Sequence, residues 1–227
     1  DHAFHGCSLL KRVNGTKDGE VKIPYSTKVI NTYAFTGCSA LTELNGGENL
    51  VTIGDYAFSS CSNLSKVEFG SELKTIGNYA FAYCTSITSI IIPDSVKGIG
   101  AYAFKGCHSL KCITIPDSIN RINDSLFEGC TSIESVIIGN SVTYIGARAF
   151  YDCTNLTSID IPDSVTGIGN YAFEGCESLT SITIPDSVTS IGESAFNYCR
   201  SLREVFYKGS SADKAKITIS SGNSYLT

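Results

Sequence analysis

The chain has 227 residues, of which 42% are hydrophobic and 17% charged, and its formal net charge is −5. This composition supplies enough apolar material for a core and excludes an intrinsically disordered chain. Acidic and basic residues are interspersed, and no basic run is present that would follow a phosphate backbone, so nucleic acid is excluded as a partner. No stretch reaches the roughly 18 consecutive apolar residues of a membrane span, and we expect no membrane insertion within this chain.

Residues 1–22 carry part of a repeat that becomes regular later in the chain. The segment from Asp1 to Cys7 matches only the second half of a repeat unit, so we expect the sequence to belong to a longer protein whose targeting signal lies upstream. Cys7 and Cys38 are 31 residues apart, which leaves eight extra residues around Asn14 to Glu20. We place this insertion in a surface loop.

Residues 23–206 form eight consecutive units of 23 residues each. The units that begin at Ile161 and Ile184 match position by position, IPDSVTGIGNYAFEGCESLTSIT against IPDSVTSIGESAFNYCRSLREVF. A strict period of this length is typical of solenoids, in which each unit forms one coil and neighbouring coils bury each other's apolar side chains.

Within a unit, alternating apolar positions predict a short parallel strand. In the last unit we expect Leu202 and Val205 to point inward and Arg203 and Glu204 outward. A Pro-Asp-Ser turn, as in Pro185-Asp186-Ser187, follows the strand, because Pro presets φ and Asp or Ser can hydrogen-bond the local backbone. A short helical or 3₁₀ turn through Phe196 then leads back to the strand. Residues 207–227 do not repeat and are predicted to form a C-terminal cap.

Nine of the ten cysteines share one position of the repeat, and a phenylalanine precedes each of them by three residues. The cysteines are Cys7, Cys38, Cys61, Cys84, Cys107, Cys130, Cys153, Cys176 and Cys199, and the phenylalanines are Phe4, Phe35, Phe58, Phe81, Phe104, Phe127, Phe150, Phe173 and Phe196. One thiol per coil, at a spacing of about 4.8 Å, suits neither the Cβ separation of a disulfide nor a zinc site. We therefore expect buried free thiols and no bound metal.

The repeat Cys-x-x-Leu-x-x-Ile-x-Ile-Pro-x-Ser-Val-x-x-Ile-Gly-x-x-Ala-Phe resembles that of the BspA-like leucine-rich-repeat proteins, the Treponema-type class of these repeats. The tail, with its segments 205–209, 217–219 and 221–223, is similar to the closing segment of that family. Gly47, Gly70 and Gly139 in place of Pro, and Asn123 and Leu126 in place of Gly and Ala, are departures that we interpret as tolerable variants.

The resemblance implies a leucine-rich-repeat solenoid, β-rich in the α/β class. We expect it to be a right-handed coil with a parallel β-sheet on one face and short helical or 3₁₀ turns opposite. It also implies an extracellular or cell-surface location and adhesion to a host extracellular protein or a microbial surface protein.

Two outward-facing sets of side chains are candidate binding residues. Ile91 and Ile137 flank Thr114 on adjacent predicted strands, near the outward Cys112, and a small apolar patch of this kind can mark an interface. Alternatively, β-branched residues simply suit a sheet surface, and Cys112 is an incidental replacement of Ser.

The second set is a column of tyrosines, Tyr33, Tyr56, Tyr79 and Tyr102, which four consecutive coils would stack along one flank. Tyrosine is enriched at protein interfaces, although such a ladder can also serve only to cover the edge of the coil.

No pattern of residues predicts catalysis or a cofactor. The only histidines are His2, His5 and His108, and no nucleophile-base or phosphate-loop motif is present. One Asp per coil at Asp94, Asp117, Asp163 and Asp186 fits turn chemistry better than a calcium site. The sequence therefore predicts a non-catalytic binding module of adhesin type, with a sensor ectodomain or a structural spacer as the alternatives.

Overall fold

The computed structural model describes residues 12–13 and 19–226 of the chain. Each 23-residue unit forms one coil, and equivalent residues of successive coils pair in parallel. Cys112, for example, pairs with Ser89 on one side and with Ser135 on the other. This register confirms the predicted solenoid with parallel strands.

A front sheet is formed by one strand of two to four residues from each coil. Its strands are β1 (Arg12–Val13), β2 (Glu20–Lys22), β4 (Glu43–Asn45), β6 (Lys66–Glu68), β8 (Ser89–Ile91), β10 (Cys112–Ile115), β12 (Ser135–Ile138), β14 (Ser158–Ile159), β16 (Ser181–Ile184) and β18 (Glu204–Tyr207). The ladder is continuous within β1-β2-β4-β6, within β8-β10-β12-β14 and within β16-β18. At β18 and the two residues before it the predicted orientation is confirmed, since Leu202 is buried and Val205 is half-buried against the core, whereas Arg203 and Glu204 are exposed.

The inserted segment near the N-terminus differs in part from the prediction. Glu20, which we assigned to the end of a surface loop, lies in β2 and pairs with both Arg12 and Glu43. A parallel rung at this position requires extended backbone, so residue 20 belongs to the sheet. Residues 14–18 of the insertion lie outside the described residues.

A second ladder, which the sequence analysis did not predict, runs along another side of the coil. Its two-residue strands are β3 (Val29–Ile30), β5 (Thr52–Ile53), β7 (Thr75–Ile76), β9 (Gly98–Ile99), β11 (Arg121–Ile122), β13 (Tyr144–Ile145), β15 (Gly167–Ile168), β17 (Ser190–Ile191) and β19 (Thr218–Ile219). Each contributes one buried or half-buried Ile, and the short length explains why no alternating pattern revealed these strands.

The predicted helical or 3₁₀ segments are minimal, because the third side of each coil consists of successive hydrogen-bonded turns. In the first full coil Ala34 and Cys38 donate within the turn, whereas Tyr33 and Phe35 donate to carbonyls of the next coil, at 2.9 and 2.7 Å. Tyr33 has φ of 59°. A left-handed residue at this position, repeated in the following coils, interrupts any right-handed helix. We call this side the turn layer.

The core is a continuous stack of phenylalanines beneath the turn layer. From Phe35 to Phe196 each ring lies nearly parallel to the next, with centroids 5.1 to 5.8 Å apart. Leucine, isoleucine and alanine side chains from all three sides complete a single buried cluster. No coil can bury this set alone, so the fold depends on the contact between neighbouring coils.

The tail covers the C-terminal end of this core. Its helix α1 (Ser211–Lys214) begins with a capping box between Ser210 and Asp213. Asn223 is 3% exposed, and its Oδ1 accepts from the amide of Phe196 at 3.2 Å. In earlier coils the equivalent Phe amide donates to a carbonyl of the next coil, so the Asn223 side chain replaces the missing coil. No helix in the described residues is long and apolar enough to cross a membrane.

Candidate functional site

The front sheet brings the first set of predicted residues together. Ile91, Thr114 and Ile137 pair across β8, β10 and β12, and Cys112 lies two residues before Thr114 on the same face. Ile91 is 82% exposed and Ile137 65%, so neither side chain is needed to complete the core. These four residues define the front patch.

The three strands that carry the front patch, β8, β10 and β12, contain no charged side chain. The outward residues at the start of β8, β10 and β12 are Ser89, Cys112 and Ser135, and none of them ionises as a carboxylate or an amine. Cores of protein interfaces are depleted in charged side chains and hold their apolar residues in fixed positions. The front patch lacks charged side chains, and its apolar residues are held in fixed positions because the backbone belongs to a hydrogen-bonded ladder.

The tyrosine column is also formed as predicted, but in another part of the coil. The rings of Tyr33, Tyr56, Tyr79 and Tyr102 stack with centroids 4.8, 4.6 and 4.4 Å apart. All four residues belong to the turn layer, have positive φ and are half-buried. The structure therefore does not combine the tyrosines and the front patch into one site.

Contacts within the stack explain the chemical state of its central tyrosines. Partial desolvation, reinforced by the neighbouring phenols, raises the pKa of both Tyr56 and Tyr79. At the far end Lys105 lies 5.5 Å above the Tyr102 ring and pairs with Glu128 at 2.9 Å. At this end the tyrosine stack therefore contacts a lysine that is already paired with a glutamate of the same chain.

A groove at the N-terminal end of the front sheet was missed by the sequence analysis. It has a volume of ≈480 Å³, with Ile23 and Phe69 on its apolar side and with Tyr25, Glu48 and Glu68 among its rim residues. The available signal was the pair Gly47 and Gly70, which replace proline in two successive coils and line the groove. The sequence analysis interpreted them only as turn variants and did not predict a groove.

The buried cysteines take part in hydrogen bonds between coils. The Sγ of Cys61 donates to the carbonyl of Phe35 at 3.1 Å, and the same bond recurs in each later coil up to Cys199 and Phe173 at 3.2 Å. Burial raises the pKa of Cys61 and of Cys199 to about 12. The prediction of buried free thiols is confirmed for Cys38 and the later members of the column, whereas Cys7 lies outside the described residues.

The repeated polar residues also join neighbouring coils, where the sequence had predicted local turn chemistry. Ser187 donates to the carbonyl of Val165 at 2.6 Å. The Oδ1 of Asp117 accepts from the amide of Asn140 at 2.6 Å. Among residues 19–226, no group of three or more His, Cys, Asp or Glu is placed to hold a metal ion.

His108 is the one histidine within the described part of the chain, since His2 and His5 fall outside it. Its Nδ1 lies 2.9 Å from the carbonyl oxygen of Gly129 in the next coil, on the exposed surface. This contact gives His108 a role in joining coils and leaves the front patch without a neighbouring base.

Comparison with known proteins supports this description of the chain. The family model of the BspA type leucine rich repeat region matches in six copies, over residues 1–134 and 122–216. No curated protein sequence matches the chain.

Solved structures of leucine-rich repeat proteins are also similar to this chain. A leucine-rich repeat protein from Bacteroides ovatus is similar with a TM-score of 0.84 and 31% identity, over 96% of this chain and 53% of its own. A leucine rich repeat protein from T. pallidum is similar with a TM-score of 0.57 and 25% identity, over 88% of this chain and 69% of its own. This chain spans about half the length of the Bacteroides protein. It belongs to the BspA-type leucine-rich-repeat family.

Proposed function

We propose that this chain is a non-catalytic protein-binding module of adhesin type, which binds its partner on the front patch. The observation that carries the proposal is the pair Ile91 and Ile137, both largely exposed on a rigid ladder with Thr114 between them. Exposed apolar groups on a fixed backbone bury area on binding and lose little conformational entropy.

The expected partner is a host extracellular protein or a protein on a microbial surface. The BspA-type repeats support this class of partner and an extracellular or cell-surface location. The three strands of the front patch carry no charged side chain, which favours a partner with a complementary apolar surface over a strongly charged polymer.

A binding array with matched variants tests this function. The purified chain is applied to extracellular-matrix proteins and to bacterial surfaces, beside an Ile91→Asp/Ile137→Asp variant. Phe206→Asp is the control, because Phe206 is 53% exposed at the same position of a later coil, and Asp160 and Thr183 separate it from the front patch.

We expect saturable binding that the double variant loses, by about 10-fold or more for two buried anchors, and that the control retains. The free energy of unfolding of both variants, measured by thermal unfolding, should remain within about 1 kcal/mol of the wild-type value, because these side chains are at the surface. Binding that survives in the double variant contradicts the use of the front patch. Absence of binding throughout the array favours the spacer.

A further inference from the structure

We propose that the groove at the N-terminal end of the front sheet binds a basic side chain, arginine or lysine, of the same protein partner. This inference rests on the proposed function and adds a charged contact to it. The groove and the front patch belong to one surface, and the chemistry of the groove differs from that of the patch.

The groove lies at a turn where two successive coils carry glycine in place of proline. Gly47 and Gly70 line it, at the position that Pro24 fills in the coil before and Pro93 in the coil after. Phe69 does not fill the space, since its ring packs edge-on against Phe81 with centroids 5.7 Å apart. The result is an opening of ≈480 Å³, within the size range of pockets that hold small ligands.

The backbone at these two glycines explains why proline is absent. Gly47 has φ of +65°, which proline cannot adopt, and Gly70 lies so close to Gly47 that an added Cβ would overlap its carbonyl oxygen. The pyrrolidine ring found in several other coils, for example at Pro93, is therefore absent from both turns. A long side chain can reach the apolar side of the groove without moving backbone.

The groove combines an apolar interior with a negative rim. Ile23 and the half-buried Phe69 suit an aliphatic stem, and the exposed Tyr25 ring, 72% accessible, suits a cation. Glu48 and Glu68 line the rim against one lysine, Lys22. Glu68 is already 3.0 Å from Lys66, whereas the exposed Glu48 has no ion pair among the described residues.

The electrostatic environment favours a cation at this end of the sheet. The pKa of Lys66 is raised, first by its hydrogen bond and charge pairing with Glu68 and then by Glu43 and Glu20. Several carboxylates therefore act together on one lysine, which is 3.9 Å from Glu43. A second cation that enters the groove from a partner meets Glu68 and, in addition, Glu48, the two carboxylates that line it.

The groove is continuous with the front patch. Glu68 and Ile91 occupy the same outward position in consecutive coils, and Asn45, at the groove, is two coils before Ile91. Two coils correspond to about 10 Å, which an extended peptide covers in about three residues. A partner segment with an apolar residue and a basic residue about three positions apart would contact both regions at once.

A small probe tests the groove independently of the partner. The ¹⁵N-labelled protein is titrated with N-acetyl-arginine amide and, as the uncharged isostere, with N-acetyl-citrulline amide, and amide shifts are followed by NMR. We expect weak, saturable shifts centred on Gly47 and Glu68, with citrulline about fivefold weaker, as for exposed ion pairs. In about 0.5 M salt the difference between the two probes should disappear.

Variants give the matched controls. Glu48→Gln should weaken arginine binding about threefold. Glu204→Gln, an exposed outward carboxylate on β18, should leave it unchanged. Equal binding of arginine and citrulline, or shifts that do not saturate, would overturn the inference. The Ile91→Asp/Ile137→Asp variant should still bind arginine, so a failure of the front patch and a failure of the groove are distinguishable.

Discussion

The turn layer and the front sheet of this protein follow the same 23-residue period but tolerate change very differently. In the turn layer the same pair, a stacked Phe and a buried Cys, recurs in every coil from Phe35 to Cys199. In the front sheet the outward position changes from coil to coil, through Lys22, Asn45, Glu68, Ile91, Thr114, Ile137, Asp160, Thr183 and Phe206.

The difference shows how a solenoid separates stability from recognition. A turn-layer residue contacts the coil before and the coil after it, so each change affects two interfaces. An outward strand residue contributes only its backbone to the ladder, and its side chain is free to vary with the partner. Three experiments test this separation, beginning with the largest expected effect.

Alkaline pH should destabilise the turn layer through its thiols. The pKa of Cys61 and of Cys199 is about 12 in the folded protein and near 9 when the chain unfolds. Because the folded pKa is raised, the stabilisation is complete below pH 9 and is lost as pH rises from 9 towards 12, by about 1.4 kcal/mol per thiol at pH 10. The other column cysteines with raised pKa add to this loss.

Urea unfolding at about pH 8, 9 and 10 measures the effect. Cys112→Ser is the control, since Cys112 is exposed and lies outside the buried column. A free energy of unfolding that stays constant over this interval would show that the buried thiols do not hold the coils together as described.

Truncation of one ring should distinguish the two regions within a single coil. Phe127 is fully buried between Phe104 and Phe150, at 5.8 and 5.5 Å, and Phe127→Ala should cost about 3 to 5 kcal/mol. Ile137→Ala on the front sheet of the same coil should cost less than about 1 kcal/mol, because Ile137 is 65% exposed. Chemical denaturation of both variants provides the comparison, and equal costs would abolish the proposed separation.

The backbones of two coils are in close contact at the groove, and substitutions at two glycines test this contact. Gly70→Ala should cost about 1 to 3 kcal/mol, because the new Cβ overlaps the backbone of Gly47. Gly98→Ala is the matched control, since a Cβ there has no heavy atom within 4 Å and should be neutral or slightly stabilising. Thermal unfolding decides the point, and a harmless Gly70→Ala would mean that the backbones at the groove are not in close contact.

Much of the candidate surface was predictable, and the failures have physical causes. Period and alternation placed Ile91 and Ile137 side by side and stacked Tyr56 on Tyr79, because a fixed register brings equivalent residues together. Whether either set binds a partner stays a prediction. The predicted helical turns are reduced to single hydrogen-bonded turns, because residues such as Tyr56 have a left-handed φ, which is unfavourable for a non-glycine side chain and is not signalled by residue type.

The sequence by itself determined the solenoid, the length of its coil, the identity of the buried columns and the outward positions. Only the tertiary structure decided how the coils satisfy each other. The thiol of Cys61 has an acceptor because the carbonyl of Phe35 in the preceding coil lies beside it. Asn223 completes the last coil because its Oδ1 accepts from the backbone amide of Phe196, which has no further coil to pair with. The groove at Gly47 and Gly70 likewise depends on the orientation of the Phe69 ring, which packs edge-on against Phe81. Repetition in the sequence specifies which residues become neighbours, whereas hydrogen-bond geometry and unfilled volume arise only once those neighbours are in contact.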